Sequence, residues 1–150
     1  MKRTFIPTPP RRKNEGATAL ETMMILIVDD SLSDIELTTI ALEATGQQIS
    51  VCSATDGESA LAMLRNGHEL PALILLDMKM PGMSGTEVLR ELRADGRFRD
   101  LPIVVVTSSC LESDRTEAIA AGASDYIQKP LALDQFSKAL ESILHRWLAN

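Results

Sequence analysis

Five side chains able to do chemistry stand at four points of this chain, each just after a short apolar run: Asp29 and Asp30, Asp77, Thr107, and Lys129. The runs are residues 24–28, 72–76, 103–106 and the shorter 126–128. If each is a strand of one parallel sheet, all five side chains surface at the same edge. Open α/β sheets hold their chemistry in the crevice beyond the carboxyl ends of the strands. A hard divalent cation takes oxygen ligands and keeps several waters, so one or two carboxylates plus a phosphate oxygen suffice to hold it. Three clustered carboxylates repel one another unless a cation neutralises them, so the cluster itself implies a metal. An ammonium at Lys129 and a hydroxyl at Thr107 suit phosphoryl oxygens, in a transfer governed by positioning and electrostatics.

The elements that must position these groups are legible in the hydropathy pattern. From Met23 onward, short apolar or β-branched runs alternate five times with longer amphipathic ones, as expected for an α/β domain with a parallel sheet. The first run is apolar at every position, which suits a central strand covered on both faces. A helix is expected over residues 34–44, with Ser33 and Glu36 as a capping box and an apolar face of Ile35, Leu37, Ile40, Ala41 and Leu42. A second strand over residues 49–54 leads to Asp56 as the cap of a helix over residues 57–65. After Asp77, Pro81, Gly82 and Gly85 shape a tight loop, and Ser84 with Glu87 forms a second capping box for a helix over residues 86–94. A fourth helix is expected over residues 113–121 and closed by Gly122. The last, residues 134–148, is expected to pack on the sheet through a stripe of Leu133, Phe136, Leu140, Ile143, Leu144 and Trp147.

Length and charge narrow the function classes. With 150 residues there is room for one domain with a full core, and no separate output domain fits. Residues 1–22 carry five basic and two acidic side chains, +3, which leaves −9 on the remainder within the net −6. An acidic body argues against nucleic acid as the main partner. Residues 1–22, broken by Pro7, Pro9 and Pro10, are expected to be a disordered tail, or translation begins at Met23 or Met24. The apolar run before Asp29 is far shorter than the roughly 20 residues that span a bilayer, so a cytoplasmic location is expected. Cys52 and Cys110 lack the paired spacing of a metal knuckle and read as core or near-core thiols of a reducing compartment. His68 and His145 read as surface residues.

The segments ILIVDDS, LILLDMKMPGMSG, VVVTSS and AGASDYIQKP resemble the receiver domain of two-component response regulators across residues 23–148. The acid pair, the single aspartate, the threonine and the lysine occur in that family's order, with 30 residues from Asp77 to Thr107 and 22 on to Lys129. The resemblance implies a flavodoxin-like (CheY-like) fold, a doubly wound five-stranded parallel sheet in the order 2-1-3-4-5. It implies that Asp77 is the phosphoacceptor. Asp29, Asp30, Asp77 and the backbone carbonyl of Lys79 would hold Mg²⁺, for which Mn²⁺ substitutes. Thr107 and Lys129 would stabilise the phosphoryl group, and Tyr126 would turn as part of a switch that remodels the face of helix four, strand five and helix five. The Lys129–Pro130 peptide would be cis. Lys79 and Ser109, two residues beyond Asp77 and Thr107, stand where the family borders the path of the hydrolytic water and would tune phosphate lifetime.

The implied partners are a histidine kinase or histidine phosphotransfer protein and an effector protein. The opening SLSDIELTTIALE and the closing LDQFSKALESILHRWL are similar to single-domain regulators that serve phytochrome-type and hybrid kinases, which implies a stand-alone regulator able to form a homodimer through its last helix and strand. Three other functions compete with an output switch. A phosphate sink or relay shuttle would need no effector. A hydrolase of the haloacid dehalogenase type would need a second aspartate where Lys79 stands, and a cap domain. A flavin-binding electron carrier would need a hydroxyl- and glycine-rich phosphate loop where DDSLSD stands.

Overall fold

The structure, a computed structural model, describes residues 22–67, 69–129 and 132–148. The sequence-based expectations for the tail, for His68 and for the Lys129–Pro130 peptide fall outside these residues. Among the described residues five strands and five helices alternate: β1 (Met23–Val28), α1 (Leu32–Glu43), β2 (Ile49–Ala54), α2 (Gly57–Asn66), β3 (Leu73–Leu76), α3 (Gly85–Ala94), β4 (Ile103–Thr107), α4 (Glu112–Ala121), β5 (Asp125–Gln128) and α5 (Leu133–Leu148). A 3₁₀ turn, Gly96–Phe98, links α3 to β4. All strands are parallel, in the order β2-β1-β3-β4-β5.

The alternation of side chains along a strand divides the core in two. Leu26 and Val28 of β1, with Ile74 and Leu76 of β3, face α2, α3 and Ala118 of α4. Ile25 and Ile27, with Leu73 and Leu75, face α1 and α5. Burial on both faces explains why the central strands are apolar throughout. Full burial of each such Leu or Ile contributes about 1.5–3 kcal/mol. The Ser137 hydroxyl of α5 donates to the Ala41 carbonyl of α1 at 3.0 Å, satisfying a buried polar group where the two helices meet. On the other face the Arg93 side chain of α3 donates to the carbonyls of Phe98, Leu101 and Gly122, bolting the C-terminal end of α4 to α3. Gly122 terminates α4 at φ 115° in the left-handed region, as a helix-ending glycine is expected to do.

Four expectations from sequence require correction. α1 is capped by Ser31, whose hydroxyl accepts the Asp34 N–H at 3.2 Å, and not by Ser33. The Asp29 carboxylate accepts the Ser31 N–H at 3.0 Å, and that bond turns the chain into the helix two residues early. Leu37 and Ile40 of α1 are exposed, because the sheet and α5 cover only the stripe of Ile35, Thr38, Ala41 and Leu42. Leu133 and Trp147 likewise fall off the buried stripe of α5, and the Trp147 indole N–H bonds Asp125 instead. Cys110 is exposed, since it lies past the end of β4. Cys52 is buried as expected, and burial pushes its thiol up to about 11, which keeps it unreactive. The Ser84–Glu87 capping box forms as read from the sequence, and His145 is on the surface.

Candidate phosphoryl and metal site

The register of the sheet brings the chemistry together. Val28 of β1 stands beside both Ala54 and Leu76, Leu76 beside Val105, and Thr107 beside Gln128. Asp29 and Asp77 therefore leave adjacent strands at one level. Their N–H groups continue the ladders, Asp29 to the Ala54 carbonyl at 3.1 Å and Asp77 to the Val28 carbonyl at 2.9 Å. Lys129 leaves β5 with its N–H on the Thr107 carbonyl at 2.8 Å. An open depression of about 450 Å³ at this edge is lined by Asp29, Asp30, Asp77, Lys79, Thr107, Ser109 and Lys129, together with Asp34, Ser108, Cys110 and Leu111.

The loop after Asp77 is held close. The Gly85 N–H donates to the Met78 carbonyl at 2.9 Å. A Cβ built on Gly85 would lie 2.3 Å from the Asp77 carbonyl oxygen and 2.7 Å from the Met78 Cα. Only glycine lets α3 start this near the Asp77 backbone.

Asp29, Asp30 and Asp77 each offer one carboxylate oxygen, all within 4.8 Å of one another. Two ligands on one octahedral Mg²⁺ stand about 3–4 Å apart, so a small inward shift or a bridging water fits these groups to one ion. Asp29 is buried and already committed, with one oxygen on the Ser31 N–H and the other 3.1 Å from the Lys129 ammonium. Asp30 is exposed and Asp77 half-buried. Burial first, then the charge of Asp29, pushes the Asp77 carboxyl up to about 6, against the pull of Lys129. Such a group is short of positive charge, and a divalent cation would supply it.

Asp34 was not singled out by the sequence reading, yet its carboxylate lies 2.8 Å from the Lys129 ammonium. Burial opposes the charge of Lys129, but Asp34 and Asp29 outweigh it and hold its pKa above the ordinary lysine value. Asp29, Asp30, Asp34 and Asp77 line the depression with two ammonium groups, Lys129 and Lys79, so carboxylates outnumber cations there, which fits a cation-binding role. The signal in the sequence was slight: Asp34 reads as an ordinary acidic residue in the first turn of a helix.

Thr107 is buried, and its hydroxyl oxygen accepts the Ser109 N–H at 3.2 Å, which leaves its proton to donate. Beyond it lies a second feature that sequence did not show. Asp114 of α4 accepts the Ser109 hydroxyl at 2.5 Å and lies 3.3 Å from the Lys79 ammonium. The Ser109 hydroxyl, then Lys79, hold the Asp114 carboxyl below the usual carboxylate range against burial. Tyr126 does not line the depression. It is half-buried behind Ser109, with its hydroxyl donating to the Ser109 carbonyl at 3.3 Å and the Arg115 guanidinium 5.7 Å from its ring centroid.

Comparison with known proteins agrees with this geometry. PleD of Caulobacter vibrioides, a response regulator, is 40% identical over 107 residues, which cover 71% of this chain but 23% of PleD; the chain thus spans under a quarter of that relative's length. PilH of Pseudomonas aeruginosa is 34% identical over 120 residues, 80% of this chain and 96% of PilH. Among solved structures, the phosphorylated cyanobacterial phytochrome response regulator RcpA superposes with a TM-score of 0.78 at 31% identity, covering 86% of this chain and 96% of RcpA. The Mn²⁺-bound response regulator Rcp1 gives 0.73 at 30%, covering 84% and 94%. The receiver domain of the sensor histidine kinase PA1611 of Pseudomonas aeruginosa, with magnesium coordinated in its active-site cleft, gives 0.74 at 28%, covering 87% and 100%. The family model of the response regulator receiver domain matches residues 25–141. A parallel sheet in the order 2-1-3-4-5, an acidic strand-end cluster and that match lead to one conclusion: the chain belongs to the response regulator receiver domain family of two-component signalling.

Proposed function

We propose that residues 23–150 act as a phosphoacceptor switch, with Asp77 taking a phosphoryl group from a histidine kinase or histidine phosphotransfer protein. The observation that carries this reading is the grouping of the Asp29, Asp30 and Asp77 carboxylates within 4.8 Å of one another beside Lys129 and Thr107. An oxygen of the Asp77 carboxylate attacks phosphorus in line. The P–N bond of the phosphohistidine breaks, its electron pair stays on the imidazole nitrogen, and an acyl phosphate results. Bound Mg²⁺, or Mn²⁺ in its place, would offset charge on the carboxylates and the phosphoryl oxygens. Asp29, Asp30, Asp77 and the Lys79 carbonyl are the groups assigned to hold it.

Lys129 is the fixed cation for a phosphoryl oxygen, and Thr107 the hydroxyl donor. Each works by being in place before charge arrives. The Thr107 hydroxyl shares Ser109 with Tyr126, so engagement of Thr107 by phosphate would reach Tyr126 and the surface of α4, β5 and α5. The output is a shift between two packings of that surface, read by an effector protein or by a second copy of the chain. Histidine kinase partners make the cytoplasm its place of action. The protein would catalyse only its own phosphorylation and dephosphorylation. Lys79 and Ser109 would set the phosphate lifetime.

Incubation with acetyl phosphate, with and without Mg²⁺, followed by intact mass, tests this reading. Wild type is expected to gain one phosphoryl group only with Mg²⁺, and Asp77→Asn none. Equal labelling of the two proteins, or none with any donor, would overturn it.

A further inference from the structure

Helix α4 is held unequally at its two ends. Its C-terminal end is bolted by the Arg93 guanidinium on the Gly122 carbonyl. Its N-terminal end has no side-chain cap at Leu111. Of its ten residues only Ala118 is buried, and Ile119 is exposed, so packing contributes little to holding the helix down. What restrains the first turn is Asp114, through the Ser109 hydroxyl at 2.5 Å and the Lys79 ammonium at 3.3 Å. The Ser109 oxygen in turn accepts the Leu111 N–H at 3.2 Å, which ties the residue that opens the helix to the same group. Both partners of Asp114 come from the strand-end site: Lys79 is two residues past Asp77, Ser109 two past Thr107, and both line the same depression.

Lys79 is therefore shared between two anionic positions. In the unmodified protein its ammonium rests on Asp114. A phosphoryl group on Asp77 would bring more than one negative charge to the depression that Lys79 lines, and the flexible, largely exposed lysine stem is free to swing toward it. We propose that Asp114 is a positioning residue that parks the Lys79 ammonium at the foot of α4 until a phosphoryl group on Asp77 draws it off, so that loading the site and loosening the first turn of α4 are one event. The proposal rests on the phosphoacceptor reading of Asp77. By reciprocity, weakening the hold of Asp114 on an intact Lys79 strengthens binding at Asp77 by as much as loading Asp77 weakens that hold.

The test is titration of beryllofluoride, a phosphoryl mimic, in Mg²⁺ against wild type, Asp114→Asn, Lys79→Gln and the double variant. Asp114→Asn keeps an oxygen for the Ser109 hydroxyl but loses the charge that competes for Lys79. It is expected to bind beryllofluoride about two- to five-fold more tightly than wild type, the range for a partly exposed ion pair. The gain is expected to vanish in the Lys79→Gln background, and Asp114→Glu is expected to restore wild-type affinity. Hydrogen exchange of residues 111–116 supplies a readout independent of binding: unloaded Asp114→Asn should exchange as fast as loaded wild type. Unchanged affinity in Asp114→Asn, or a gain that persists without Lys79, would overturn the proposal while leaving the phosphoacceptor reading intact. Failure of every form to bind beryllofluoride would overturn both.

Discussion

Lys129 and Lys79 both line the acidic depression and are held in opposite ways. The Lys129 side chain is 15% exposed and lies between two carboxylates, Asp29 at 3.1 Å and Asp34 at 2.8 Å. Lys79 is 63% exposed and meets one carboxylate, Asp114, at 3.3 Å. The same charge thus does two jobs. A largely buried ammonium between two acids is a fixed part of the site, and removing it strands a buried anion at Asp29. An exposed ammonium on one acid is nearly neutral for stability and free to change partner.

The largest effect that would sharpen this contrast is Lys129→Met. It leaves the buried Asp29 carboxylate without its cation and is expected to lower stability by about 3 kcal/mol in urea unfolding without Mg²⁺, with much of the loss recovered at saturating Mg²⁺. Lys79→Met is expected to change stability by less than about 1 kcal/mol. Equal losses in the two variants would break the comparison. Gly85→Ala ranks next. Its Cβ would press on the Asp77 carbonyl and Met78 Cα, so a loss of about 1–3 kcal/mol and weaker Mg²⁺ binding are expected together in unfolding and calorimetric titration.

Asp77→Asn is expected to stabilise the metal-free protein. The Asp77 carboxyl sits at about 6 in the folded chain against 3.8 for an ordinary aspartate. Between those values the folded state keeps a proton that the unfolded chain has released, so stability falls as pH rises from about 4 to about 6 and stays lower above that. The shift amounts to about 3 kcal/mol at most, and solvent access to this half-buried group reduces it to about 1–2 kcal/mol. The gain of Asp77→Asn should be present at pH 7 and absent at pH 4. Mg²⁺ competes with the same proton, so its affinity for wild type should weaken as pH drops below about 6. The smallest effect is that of Asp34→Asn, which removes the more exposed of the two acids on Lys129 and should cost less than about 1 kcal/mol.

The strands and the placement of the five side chains at one sheet edge were legible in sequence because each depends on a local signal, whereas the strand order came only from the resemblance to receiver domains. Apolar runs set the strands, and the residue after each run must appear at the sheet edge. The Ser84–Glu87 cap was legible for the same reason, since both of its bonds span three residues. Most of the misses depend on distant contacts. Ser31 caps α1 because Asp29 holds its N–H, and Asp29 is where it is because Lys129 and the sheet put it there. Leu37 and Ile40 look like core until α5 is seen to cover the neighbouring stripe. Asp34 and Lys129 are 95 residues apart, and Asp114 meets Lys79 across two loops, so no local pattern marks either pair.

The most direct test of the phosphoacceptor reading is chemical. Protein treated with acetyl phosphate and Mg²⁺ is reduced with borohydride, which converts an aspartyl phosphate to homoserine, and the peptides are sequenced by mass. The expected result is homoserine at position 77 alone, dependent on Mg²⁺. Homoserine elsewhere, or none while a donor-competent receiver is labelled in parallel, would contradict the account.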